Sequence, residues 1–175
     1  DDPFSVFFPG LGQFWLFRGQ DVFTYSFSAT SKVSAWGQGR FSVAIDDACQ
    51  LAGSMYVRIG DTIRKVDENI YSDAGELFRV EIELPYQNAK APGTLKQFNG
   101  CDAVAEGTFD LAIKFDPNHT DYITDAVPMS GDTAAGDLTP VELCATAIAP
   151  RITHEADEKF VLSALTFYYE PLGKV

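Results

Sequence analysis

Apolar and polar residues alternate with a period of two along most of this chain. Over 77–84 the apolar Phe78, Val80, Ile82 and Leu84 take one face of an extended segment, and Arg79, Glu81 and Glu83 take the other. Residues 108–115 repeat the pattern, with Phe109, Leu111, Ile113 and Phe115 inward and Asp110 and Lys114 outward. Residues 22–29 carry Phe23, Tyr25 and Phe27 on one side, and residues 40–45 carry Phe41, Val43 and Ile45. Shorter runs predict strands over 32–36, 54–59, 62–66 and 141–147. A longer one covers 159–169. There Phe160, Leu162, Ala164 and Tyr168 share one side while Val161, Leu165, Phe167 and Tyr169 share the other, so both faces need cover.

Turn residues punctuate these runs at Gly37-Gln38-Gly39, Gly60-Asp61, Asp73-Ala74-Gly75, Pro92-Gly93, Asp116-Pro117-Asn118 and Ser130-Gly131-Asp132. Helical character is confined to one or two turns over 46–53, opened by an Asp cap and closed by Gly. Residues 116–140 read as a long loop or pair of loops, rich in Asp, Thr, Ser and Gly. The expectation is a single-domain, all-β protein: an antiparallel β-sandwich of jelly-roll or immunoglobulin-like type with at most one or two short helices.

The N-terminal end departs from this regularity. Phe4, Phe7, Phe8, Phe14, Trp15, Phe17, Phe23, Tyr25 and Phe27 crowd it, and each such ring buries on the order of 150–250 Å² when it leaves water. Phe7-Phe8-Pro9-Gly10-Leu11-Gly12 does not alternate, and Pro9 withholds a ladder hydrogen bond, which suits an irregular arm. Phe14-Trp15-Leu16-Phe17 is apolar on both sides, as a segment inserted between layers or subunits would be. Residues 1–20 are therefore read as an arm or first strand, and 21–175 as the sandwich. Phe4, Phe7, Phe8, Phe14, Trp15 and Phe17, with Phe167 and Tyr169 of the two-faced strand, are the candidate interface, used by strand or arm exchange with a second copy.

Composition narrows the function. With 175 residues, 46% hydrophobic and 22% charged, the chain is globular and long enough for one core. Against 25 acidic residues stand 13 basic ones, and the formal charge of -12 repels phosphate backbones, which argues against nucleic acid. No run approaches the ~20 apolar residues of a membrane-spanning helix. The opening Asp1-Asp2-Pro3, without an initiator Met, fits a processed, secreted or cell-surface product.

Candidate chemistry is sparse. His119 and His154 are the two histidines, and neither sits in a nucleophile signature such as G-x-S-x-G, so no catalytic residue is assigned. Adjacent acids, Asp46 with Asp47 and Asp67 with Glu68, lack the defined separation of a glycosidase pair. Asp116, Asn118, Asp121 and Asp125 alternate oxygen donors as a Ca²⁺ loop does, without the Gly and Glu of an EF-hand. Ordinary turn chemistry explains the same residues. Trp15, Trp36, Tyr56, Tyr86 and Tyr122, along with Tyr71, are candidates for stacking on sugar rings. Cys49, Cys101 and Cys144 are disulfide candidates whose odd number leaves one thiol over or joins two chains. Asn118-His119-Thr120 matches the glycosylation sequon at Asn118, and Asn99-Gly100-Cys101 its rare Cys form.

These readings rank a non-enzymatic, self-associating extracellular structural protein first. A carbohydrate-binding module, Ca²⁺-assisted or not, comes second, and a carrier of a small apolar ligand in a β-barrel third.

Overall fold

A computed structural model describes residues 2–28, 33–67, 69–73, 75–77, 79–130 and 138–174. All their regular structure is β-strand, and every strand pair is antiparallel. The chain divides into two compact units, Asp1–Phe78 and Arg79–Val175. Within residues 1–20, Phe4–Phe8 and Gln13–Arg18 pair as the first two strands of a sheet.

The first unit opens with a four-stranded meander: β1 (Phe4–Phe8), β2 (Gln13–Arg18), β3 (Asp21–Ser28) and β4 (Val33–Arg40), in that spatial order. Pro9 and the Gly10–Gly12 stretch make the β1–β2 turn, with Gly12 N–H donating to the Pro9 carbonyl at 3.3 Å. A three-stranded sheet follows, β5 (Asp47–Leu51), β6 (Ser54–Ile59) and β7 (Thr62–Lys65). Phe17, Val22, Ile45 and Val57 form the core of this unit, with Phe4, Val6, Trp15 and Phe41 packed against it.

The second unit also holds two sheets. One orders β11 (Val127–Ser130), β10 (Thr108–Lys114), β13 (Ala149–His154) and β8 (Val80–Glu83). The other orders β12 (Thr139–Ala145), β9 (Thr94–Glu106) and β14 (Val161–Lys174). Their inward residues, among them Phe98, Cys101, Phe109, Leu111, Met129 and Ile152, share one core, a sandwich-like arrangement. The chain crosses from β9 to β10 at Gly107, whose φ of +88° favours glycine and whose missing Cβ leaves room for the Lys159 carbonyl.

Several expectations need correction. Residues 46–53 form no helix: they are β5 and a tight hairpin turn in which Ala52 and Gly53 both take left-handed φ, 50° and 84°. Arg40 ends β4, and residues 41–45 are a connection, not a strand. Phe41 N–H and Ile45 N–H donate to the carbonyls of Gln20 and Gly19, pinning this stretch to the β2–β3 turn. Gly37-Gln38-Gly39 is no turn but the middle of β4. Between 116 and 130 the expected loop contains β11, an edge strand that tolerates Pro128, and Thr124, which is hydrogen-bonded to Ile113. Phe78, Glu68, Ala29, Lys32 and residues 131–137 lie outside the described residues.

Candidate functional site

The register of the first sheet builds an aromatic row. Phe7 of β1 pairs with Phe14 of β2, Phe14 with Tyr25 of β3, and Tyr25 with Trp36 of β4, so four rings cross the whole sheet on one face. Ring centroids lie 4.8 Å apart for Phe7 and Phe14 and 5.0 Å apart for Tyr25 and Trp36, with planes tilted by 44° and 45°. The pair Leu16 and Phe23 makes a second row on the same face, and Phe27, opposite Ser34, lies on the other side of Tyr25. Trp36 is 68% exposed, Phe27 58% and Phe14 54%, so this face lies open. At one end stands a charged row, Arg18, Asp21 and Arg40, closed by an Arg40–Asp21 ion pair of 3.1 Å.

The opposite parity turns inward. Phe17 is fully buried, Phe4 stacks on it at 5.1 Å with planes 16° apart, and Phe8 meets Trp15 edge to face at 6.1 Å. Of the expected interface residues, Phe7 and Phe14 therefore face outward, whereas Phe4, Phe8, Trp15 and Phe17 serve the core. Phe23, Tyr25 and Phe27 share one side of β3, as the alternation predicts, and that side is the outer one: Val22, Thr24 and Ser26 are the inward residues. The clue in the sequence was Phe14-Trp15-Leu16-Phe17, which requires an apolar neighbour on each face.

On β14, Phe167 packs inward against Phe98 at 6.4 Å, and Tyr169, 39% exposed, leans on the same ring at 5.6 Å. Register shifts at Leu162/Ala164 and Tyr168/Tyr169 break the expected alternation, so Tyr168 is also exposed.

The proposed sugar platform is not assembled as one surface. Trp36 is on the outer face of its sheet and Trp15 on the inner, while Tyr56 belongs to the second sheet of that unit. Tyr86 and Tyr122 belong to the other unit. The Tyr86 hydroxyl donates to the Asp116 carbonyl at 2.8 Å, and Tyr122 stacks on His119 at 5.1 Å. Among the described residues, no three His, Cys, Asp or Glu side chains group to hold a metal. Asp116 uses its carboxylate on its own turn, accepting from Asn118 N–H at 2.9 Å and meeting His119 Nδ1 at 2.8 Å. The His119 contact, helped by Asn118, holds this carboxyl below its ordinary pKa. Asn118, Asp121 and Asp125 are exposed.

No disulfide forms among the three cysteines. Cys101 is fully buried on β9, and burial, reinforced by neighbouring Asp102, pushes its thiol up to about 12. Cys49 and Cys144 are exposed, the latter 2.7 Å from Gln97 Oε1. His154 is buried, its ring stacked on Phe160 at 4.8 Å and its Nδ1 donating to the Thr108 carbonyl at 2.6 Å. No protein family model matches this chain, and no curated protein does.

Proposed function

We propose that this chain is a non-enzymatic structural protein that associates with a second copy of itself through the outer face of its first sheet. The row Phe7, Phe14, Tyr25 and Trp36 carries this reading. About half of each of five large side chains on this face, Phe7, Phe14, Leu16, Phe27 and Trp36, amounts to several hundred Å², roughly the size at which surface patches on soluble proteins mark interaction sites. With a polar rim it approaches the ~800 Å² per partner of a standard interface. Charge selects the occupant. The chain carries a formal -12, yet the outward positions of the four strands hold only Arg18, Asp21 and Arg40, so two copies meet here without setting acid against acid.

A glycan platform is the weaker alternative. Sugar stacking needs open, parallel ring faces flanked by hydrogen-bonding groups; these rings tilt against one another, and their uncharged polar neighbours in the paired rows are Ser5, Ser34 and Gln38. Sedimentation velocity across a concentration series tests the choice, using the native chain and a Phe14→Ser/Trp36→Ser double variant. A native dimer that becomes monomeric in the variant supports self-association. A native monomer at high concentration, or a variant that still dimerises, defeats it.

A further inference from the structure

The inner face of the same sheet carries a different site. A cavity of about 510 Å³ lies within the first unit, with Trp15, Val22, Phe41, Ile45, Val57 and Ile59 among its apolar walls. Its volume falls in the range of small-molecule sites, and its lining is mainly apolar, as such sites require. Gly37 and Gly39 explain the opening. They occupy the inward positions of β4 opposite Thr24 and Val22, so the sheet has no side chain where it would otherwise fill the gap. A Cβ at Gly37 would stand 2.7 Å from Thr24 Oγ1, and one at Gly39 would stand 3.2 Å from Val22 Cγ1.

Arg64 gives the cavity its chemistry. It pairs with Val57 across β6 and β7, which sets the guanidinium on the face whose other members are the buried Val57 and Met55. Among the described residues Arg64 has no hydrogen bond or ion pair. Three of the other four charged groups of the lining are hydrogen-bonded elsewhere. Arg40 binds Asp21 at 3.1 Å and Gln20 Oε1 at 2.7 Å. Asp73 accepts from Ser42 N–H and Oγ–H at 2.7 Å each, and Asp67 accepts from Asn69 N–H at 3.0 Å. Lys65 also lines the cavity and acts on Asp67 at longer range. An apolar chamber whose lining carries a guanidinium with no partner among the described residues matches a ligand with one anionic end and an apolar body.

We infer that this cavity binds a small amphipathic carboxylate, its apolar body against Trp15 and Phe41 and its carboxylate on Arg64. An Arg guanidinium holds a carboxylate through two parallel N–H···O bonds, which a neutral head group cannot reproduce. Asp67 and Asp73 line the same cavity, and their carboxylates are met by donors of their own, Asn69 and Ser42. This site is independent of the outer face, because inward and outward residues alternate along the same strands.

The probe is 1-naphthoate, with 1-naphthylmethanol as its neutral counterpart, each titrated into the full chain by calorimetry. One naphthoate per chain should bind, at least about tenfold more tightly than the alcohol. Arg64→Gln should remove that preference, and its exposed position leaves folding intact, as an unchanged melting temperature will show. Trp36→Ser, on the outer face, should leave naphthoate binding unchanged. Equal affinity for the two probes, no binding at millimolar concentration, an Arg64→Gln variant that binds as before, or loss of binding in Trp36→Ser overturns the inference.

Discussion

Trp36 stands directly across the sheet from Tyr25, their ring centroids 5.0 Å apart, yet it is 68% exposed. Trp36 lies on the edge strand of its sheet, and its ring packs on that of Tyr25. Its remaining surface stays in water until something covers it.

Two phenylalanines of β2 test which face is which. Phe17 is fully buried between Phe4, Trp15 and Phe41, whereas Phe14 is 54% exposed. Phe17→Ala should cost about 3–5 kcal/mol, the sum of lost transfer energy and a cavity that cannot collapse fully. Phe14→Ala should cost about 1 kcal/mol or less, the loss of a cross-strand aromatic contact. Urea denaturation of both variants checks this, and similar losses would mean that the faces are assigned the wrong way round.

How much of this was legible depends on the strand. β6 and β10 follow their alternation closely, because each has one wet face and one buried face. β9 escapes it: Gly100 interrupts the apolar run, and it does so because Leu138 lies over it, 2.6 Å from where a Cβ would sit. β13 escapes through Pro150, tolerated near the strand start, where its carbonyl still accepts from Leu84 N–H. Phe23, Tyr25 and Phe27 show the deeper limit. Period-two alternation separates two faces but cannot say which is inward when the polar alternates, Thr24 and Ser26, are small enough to sit beneath a sheet. The cavity was beyond reach for a related reason, since it depends on Arg64 lying opposite Val57 across strands.

The three thiols should separate by reactivity. Cys49 and Cys144 are exposed and should react promptly with Ellman's reagent; Cys101, buried and with its thiol pushed up to about 12, should react only on unfolding. The same shift acts on stability at alkaline pH. The folded state keeps the Cys101 proton where the unfolded chain gives it up, so this contribution is intact below the ordinary thiol value of 9.0 and is lost as pH rises toward 12. Cys101→Ala should flatten that alkaline decline, whatever it costs in packing at neutral pH.

At the acid end the sign reverses. Glu81 lies below its ordinary value chiefly because Arg151 donates to it at 2.7 Å, with Arg79 adding at 3.5 Å. Asp67, Asp116 and Glu158 are lowered too, through bonds from Asn69, His119 and Thr108. A carboxyl depressed in the folded state contributes stability above its unfolded pKa and loses it as pH falls through the folded one. Melting temperature should therefore drop as pH descends below about 4.5, and Glu81→Gln should be less stable at neutral pH with a shallower acid slope. An unchanged slope would mean that the Arg151 pair adds nothing in solution.

Lys96 presents the sharpest case of polar burial. The residue is fully buried on β9, and its ammonium donates to three carbonyls, Ala91 at 3.0 Å, Thr94 at 2.9 Å and Thr146 at 2.8 Å. It thereby ties the loop before β9 to the segment after β12, replacing the water those carbonyls would otherwise bind. Lys96→Met preserves most of the volume but leaves the three acceptors without this donor, at about 1–3 kcal/mol for each that finds no substitute. A loss of at least about 2 kcal/mol is expected, against less than about 0.5 kcal/mol for the exposed Lys174→Met. If both variants melt together, the carbonyls are being satisfied by water, and the Lys96 cradle is not what joins these segments.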